Sequence, residues 1–430
     1  MKSNMTRRKF LAGTGGVAAG ITALSATPSK VFAGEKTVKI GFLAALTGDA
    51  AGWGLPGLYG VEIWAEQINA GGGMEVAGEK YRIEIISYDD EFDAIKATVG
   101  AKKLLFEDEV SIVLMLGITP VQAVKDFMTR NKMIVTTLVP TDISADAPYL
   151  FAPVEVHPFY NVTAVDWIAR NMPHIKTAAI ATQNDELGLS SLATYRAAFE
   201  VAGIEIVEEN LFGFEVTDFA PVVSKLISSS PDLITWDTAY PDYVNLLTEQ
   251  AYLQGFEGTI VNCTLDQYEH ILGKTSKEFM EGFLWQFPDL DDPIMQGGGT
   301  HFENAAAFYN TYAERYPGAW TAVSWEYAAA AEMWKSAVQT AGTFDPPTVA
   351  DTLRSLSPVP HAFGDAEWWG ESFFGINSAA LGKWPVVQMQ NGKAVIVEMA
   401  DVRAWMDKHG DVLIKHFKAL GVPMSGYISP

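Results

Sequence analysis

The chain has 430 residues, 48% of them hydrophobic and 12% aromatic, with 52 acidic against 30 basic side chains and a formal net charge of −22. So acidic a chain excludes nucleic acid as an expected partner, because phosphate binding needs a basic face, and its one cysteine, Cys263, excludes an internal disulfide. The length exceeds the roughly 250–300 residues that one hydrophobic core serves, so two domains are expected.

Residues 1–33 have the grammar of an export signal: Arg7, Arg8 and Lys9, a Gly/Ala-rich run over 10–26, and Val31-Phe32-Ala33 before Gly34. The stretch Thr6-Arg7-Arg8-Lys9-Phe10-Leu11 resembles the twin-arginine signal, which makes the twin-arginine export machinery an expected partner. Gly13, Gly15, Gly16, Gly20 and Pro28 interrupt the run before it reaches the roughly 20 apolar residues of a spanning helix. Cleavage near Ala33 and a soluble, periplasmic mature protein are expected.

From residue 36 onward, short apolar β-branched runs alternate with helical patterns, the signature of βαβ units and a parallel sheet. Strands are predicted at 36–43, 81–88, 111–116 and 133–138, with helices at 57–70, 94–107 and 121–130 between them. Asp93 is placed to cap the helix that follows it. The chain then crosses near 151–157 and the alternation restarts: helix 159–171, strand 177–182, helix 189–201, strand 204–209, helix 218–229, strand 232–237, helix 241–254 and strand 258–263. A Pro/Asp/Gly-rich loop at 288–300 precedes two long helices at 301–315 and 322–340. Asn391-Gly392 signals a two-residue hairpin turn, because Asn-Gly supplies the positive φ angles it needs. The division expected from this order is 34–153 plus about 288–360 in one lobe, 154–287 plus about 361–400 in the other, and a helical tail over 401–430.

The segment Ile40-Gly41-Phe42-Leu43-Ala44-Ala45-Leu46-Thr47-Gly48, followed by Gly54, Gly60, Glu66 and Ile68-Asn69-Ala70-Gly71-Gly72, carries a family likeness, as do Tyr88-Asp89-Asp90, Thr217-Asp218-Phe219 and Pro231-Asp232. These stretches resemble the branched-chain amino-acid-binding (Leu/Ile/Val-type) family of periplasmic solute-binding proteins, over nearly all of the chain after the signal. The resemblance implies an α/β fold of two Rossmann-like lobes, each a parallel sheet flanked by helices, joined by three crossover segments: the type I periplasmic-binding fold. It also implies a small-molecule ligand held in the cleft, the permease subunits of an ABC importer as partner, and no catalysis.

Candidate ligand contacts are the residues at carboxyl ends of strands, where α/β folds bind ligands. Trp53 lies in the loop where the family places an aromatic or apolar wall. Gly117-Ile118-Thr119 opens a helix, so backbone N–H groups and the Thr119 hydroxyl can grip a carboxylate there; Pro120 and Val121 stand where the family has serines. Thr137 and Thr141 flank the next strand end, with Thr137 alternatively a buried strand residue bonded to backbone. In the second lobe the resemblance points to Asp185, Asp237 and Tyr240, and to Asp266 near the acid that meets an α-ammonium in the family. The expected ligand is a small carboxylate with an apolar or aromatic body: a branched-chain or other apolar amino acid, or an aromatic acid.

An exported cofactor enzyme is the alternative from another class, since twin-arginine export serves such proteins. The seven histidines include no pair at zinc-like spacing. Gly273-Lys274-Thr275 lacks the first glycine of a phosphate loop, with Tyr268 in its place, and the GLSSL around Ser190 and Ser191 lacks the second glycine of a nucleophile elbow. No cofactor, metal or catalytic residue is therefore expected. A sensor subunit feeding a signalling receptor would share the same fold and cleft.

Overall fold

The computed structural model describes residues 36–422 except 237, 238, 264, 266, 299–301 and 303. The expected export signal and its cleavage point lie outside the described residues, as do positions 423–430 of the tail.

The first sheet is built from β1 (Lys36–Ala44), β2 (Met74–Val76), β3 (Glu79–Asp89), β4 (Val113–Met115), β5 (Val135–Thr136) and β6 (Leu150–Phe151), in the order β2-β3-β1-β4-β5-β6. All neighbours are parallel except the β2–β3 hairpin at the edge. Helices α1 (Ala51–Ala70), α2 (Ala94–Phe106) and α3 (Thr119–Arg130) are the crossovers. Ile40, Phe42 and Leu43 on β1 are wholly buried, as strands covered on both faces should be. Asp93 caps α2 as predicted, accepting from the N–H groups of Ile95 and Lys96.

After the first crossing, α4 (Asn161–Asn171) leads into β7 (Thr177–Gln183), α5 (Glu186–Ala202), β8 (Glu205–Phe212), α6 (Ala220–Ser228), β9 (Leu233–Thr235), α7 (Pro241–Leu253) and β10 (Thr259–Ile260). The four strands form a parallel sheet in the order β10-β9-β7-β8. Asp218 caps the start of α6 through the Ala220 N–H at 3.0 Å, and Phe219 packs beneath it on Phe212 and Tyr243. Short helices α8 (Tyr268–Lys274) and α9 (Lys277–Met280) precede β11 (Leu284–Trp285), which is bridged to the sheet at Val261.

The chain then returns. Helices α10 (Ala305–Arg315), α11 (Val323–Ala341) and α12 (Pro346–Arg354) follow, with α10 and α11 packed on α1 and α12 packed on α11. Strands β12 (Val359–His361) and β13 (Gly364–Trp369), the turn helix α13 (Glu371–Phe374) and β14 (Ala379–Leu381) form a small antiparallel sheet. It continues the first sheet through a bridge between Ala152 and Ala379. Residues 361–381, expected with the second lobe, therefore pair with the first. Trp368 packs on Phe151 of β6, and the Arg354 guanidinium lies 4.6 Å from the centre of the same ring.

The last crossing occurs at Gly382. Strands β15 (Lys383–Gln390) and β16 (Lys393–Asp401) form the expected hairpin, with Asn391 at φ 55° and Gly392 at φ 79°, and β15 pairs with β11 of the second lobe. The tail helix α14 (Val402–Leu420) packs on α5, and Lys415 and His416 both reach Glu200 at 2.7 Å. Because α14 packs on α5 of the second lobe, we assign it to that lobe rather than to a separate tail.

Candidate ligand cleft

The two lobes meet directly at the starts of α1 and α7. Trp53, in the first turn of α1, is buried and packs edge-on against Tyr240, the residue just before α7, with ring centres 5.2 Å apart. Beside this contact the Tyr243 hydroxyl donates to Asp49 at 2.9 Å. Burial and that carboxylate push the Tyr243 phenol up to about 12. Trp53 and Tyr240, each expected as a ligand contact, are thus in contact with each other.

A cavity of about 40 Å³ lies between the lobes. Leu116, Gly117, Leu138 and Val139 border it just past the ends of β4 and β5, Leu187 borders it from the first turn of α5, and Trp53 and Phe92 close one side. Two crossings and a helix of the first lobe supply the rest of the wall: Glu155, His157 and Tyr160 from the first crossing, Phe287 from the second, and Ala322 and Val323 from the start of α11.

The polar side of the cavity is the network on the first crossing. The Tyr160 hydroxyl donates to Glu155 Oε1 at 2.5 Å and lies 3.0 Å from His157 Nδ1. A phenol has one proton, spent here on Glu155, so its oxygen accepts from the imidazole N–H. Burial drives the His157 pKa down to about 3, so the ring is neutral, and burial together with the neighbouring Glu155 charge raises the Tyr160 phenol well above its ordinary value. Tyr160 is fixed from behind by Trp384, stacked on it at 4.6 Å. The sequence reading placed a crossing here but not these side chains. The available signal was a glutamate and a histidine inside the otherwise apolar run FAPVEVHPFY.

The start of α3 has a different occupant from the one expected. Ile118 holds the cap position at φ 41° and ψ −104°, with no side-chain cap. Its N–H donates at 3.1 Å to Asp142 Oδ2, from the 3₁₀ turn Pro140–Asp142 that also carries buried Thr141. Asp142 is wholly buried, its Oδ1 has no hydrogen-bond partner, and burial raises its carboxyl to about 7. Thr137 donates to the Leu116 carbonyl at 3.1 Å and accepts the Val139 N–H at 3.0 Å, which is the backbone-bonded alternative. Thr119 is half-buried and does not border the cavity.

In the second lobe Asp185 is the cap of α5. It accepts from the Gly188 N–H at 2.8 Å and from Gln183 Nε2 at 2.9 Å, and burial raises it to about 6. The Gln183 Oε1 in turn accepts the Tyr240 N–H at 3.2 Å. Asp237 and Asp266 lie outside the described residues. Among the described residues no group of three or more His, Cys, Asp or Glu is arranged to hold a metal ion, and no helix is long and apolar enough to cross a membrane.

Residues 37–393 match the family of periplasmic binding proteins. The chain belongs to that family. A relative named Leu/Ile/Val-binding protein homolog 3, from Brucella melitensis biotype 1, is 25% identical over 383 residues, covering 87% of this chain and 98% of its own. Among solved structures, a leucine binding protein from Thermotoga maritima MSB8 superposes with a TM-score of 0.68 at 19% identity, over 85% of this chain and 99% of that one. A solute binding protein of an ABC transporter from Rhodopseudomonas palustris HaA2, in complex with p-hydroxybenzoic acid, gives 0.69 at 18% identity, over 85% and 96%. Membership accounts for the type I fold and makes this periplasmic binding protein a solute binder rather than an enzyme.

Proposed function

We propose that this periplasmic binding protein is the receptor of an ABC importer, exported by its twin-arginine signal and cleaved near Ala33, and that it closes on a small solute with an apolar or aromatic body. The observation that carries the reading is the inter-lobe cavity, whose described wall is apolar and aromatic apart from the Glu155–Tyr160–His157 network and which the first two crossings border. A cavity between mobile lobes, lined by apolar surface with a few convergent polar groups, is the usual form of a small-molecule site. Apolar and aromatic amino acids fit it better than amine-free aromatic acids, since a carboxylate faces the cavity and no lysine or arginine lines it among the described residues. Trp53 and Gly117 supply wall, and Tyr240 holds Trp53 from the opposite lobe. Asp266 is an acid within the same reading's reach only through the family likeness.

A thermal-shift screen with branched-chain and aromatic amino acids beside their amine-free analogues tests the proposal. A ligand at 100 times its Kd adds about 2.7 kcal/mol to the stability. Trp53→Ala is expected to weaken the binding of whichever compound shifts melting by about tenfold or more, as the loss of a buried aromatic wall should. No shift with either group, or chemical conversion of the bound compound, would refute the reading.

A further inference from the structure

Among the described residues that border the cavity Glu155 is the only carboxylate, and no lysine or arginine accompanies it there. The one potentially basic group in the wall, His157, is neutral for the reason given above. The aromatic rings of Trp53, Phe92, Tyr160 and Phe287 come from the first lobe and two crossings. Carboxylate oxygens are acceptors only, and the face of an aromatic ring attracts cations, so this wall suits a positively charged donor far better than an anion.

Behind Glu155 the acidity continues. Glu326, on the first turn of α11, is wholly buried and acts on Tyr160, and Asp90 and Glu155 both act on Tyr327. The Tyr327 hydroxyl is itself wholly buried and has no hydrogen-bond partner. The start of α3, the expected seat for a ligand carboxylate, has its Ile118 N–H engaged by Asp142.

We propose that the group this cleft reads is an ammonium, received by Glu155 on the first crossing segment, and that a ligand carboxylate is dispensable. The proposal rests on the cavity being the ligand site, as proposed above, and sharpens it: the ligand class becomes small organic ammonium compounds with an apolar or aromatic body, amino acids included. Tyr160 and His157 act as positioning residues, since the phenol holds Glu155 and the imidazole holds the phenol.

Calorimetric titration of the full exported chain with phenethylamine, L-phenylalanine and 3-phenylpropionate varies the charge while keeping the body constant. The amine and the amino acid should bind, and the acid should bind at least tenfold more weakly. Glu155→Gln, which keeps an acceptor for Tyr160, should lower affinity for the amine at least fivefold without lowering that for the acid. The charge series on the unaltered protein decides the sign of the ligand even if the variant is unstable, and the variant's ligand-free melting curve reports its folding. If the acid binds as tightly as the amine, or folded Glu155→Gln loses less than fivefold toward the amine, the ammonium reading falls while the apolar cavity stands. If no member of this series, nor its leucine-bodied counterparts isopentylamine, leucine and 4-methylpentanoate, binds at all, the cavity itself is not the ligand site and both readings fall together.

Discussion

Two helix starts flank the cleft, one in each lobe, and each is capped by an aspartate of the chain itself. At α5 the aspartate is local: Asp185 directly precedes the helix and takes the Gly188 N–H. At α3 it is brought from elsewhere: Ile118 sits at the cap position with φ 41°, and Asp142, 24 residues on, takes its N–H. The dipole and free N–H groups of a helix start attract any carboxylate, internal or external. The comparison therefore teaches that a helix start at a strand's carboxyl end is an anion site only when the chain does not fill it first.

The largest effects should come from the glycine at each start. A Cβ on Gly188 would stand 2.0 Å from the Gln183 carbonyl oxygen and 2.8 Å from Thr182 Oγ1. Gly117 has φ 123°, and a Cβ there would meet Thr137 Oγ1 at 2.6 Å. Backbone cannot yield as a side chain can, so Gly188→Ala should cost about 4 kcal/mol or more, and Gly117→Ala about 2–3 kcal/mol. Denaturant unfolding of the two variants checks the order. A larger loss at Gly117 would mean that the non-local start is the more rigid of the two.

The aspartates themselves come next. Burial holds both carboxyls above the ordinary carboxylate range, Asp142 at about 7 and Asp185 at about 6. The folded chain keeps protons that the unfolded chain releases from about pH 4 upward. Each contribution to stability is thus complete below about pH 4, declines as the pH rises through the folded value, and levels off above it. At about 1.4 kcal/mol per unit, the natural chain should lose about 3 kcal/mol more than Asp142→Asn between pH 4 and 7, and about 2 kcal/mol more than Asp185→Asn. Melting curves across that range measure both, and parallel curves for the natural chain and Asp142→Asn would show that Asp142 is ionised throughout.

The same contrast separates what was legible in the sequence from what was not. The Asp93 cap, the Asn391-Gly392 turn and the alternation of strands and helices are local patterns, and each stands in the structure where its residues predict, whereas Asp185, expected to touch a ligand, is itself a cap. Asp142 on Ile118, Arg354 and Trp368 on Phe151, and Tyr160 between Glu155 and Trp384 are long-range pairings that no local pattern encodes. The strand β14 went to the first sheet for that reason, against the order of segments. Within the cleft, positions at strand ends drew attention to Trp53 and Gly117, which do border the cavity. Glu155, His157 and Tyr160 escaped because a crossing segment has no periodicity to mark which of its side chains turn inward.

The smallest effect is predicted for Thr119, and it decides between the two uses of the α3 start. If a ligand carboxylate seats there, the Thr119 hydroxyl is a donor to a charged group, and Thr119→Val should cost about 1.5–3 kcal/mol of binding, tenfold or more. With Asp142 already on the Ile118 N–H, the donor that a ligand carboxylate would use at this helix start is taken. Thr119 itself is half-buried and off the cavity wall. Thr119→Val should accordingly change affinity for the best ligand by less than about twofold, and stability by no more than about 0.5 kcal/mol. Titration of the natural chain and Thr119→Val with that ligand, followed by denaturant unfolding of both, gives the two numbers. A tenfold loss of affinity without a loss of stability would return the α3 start to the ligand, leaving Asp142 as a protonated neighbour of the bound carboxylate rather than its substitute.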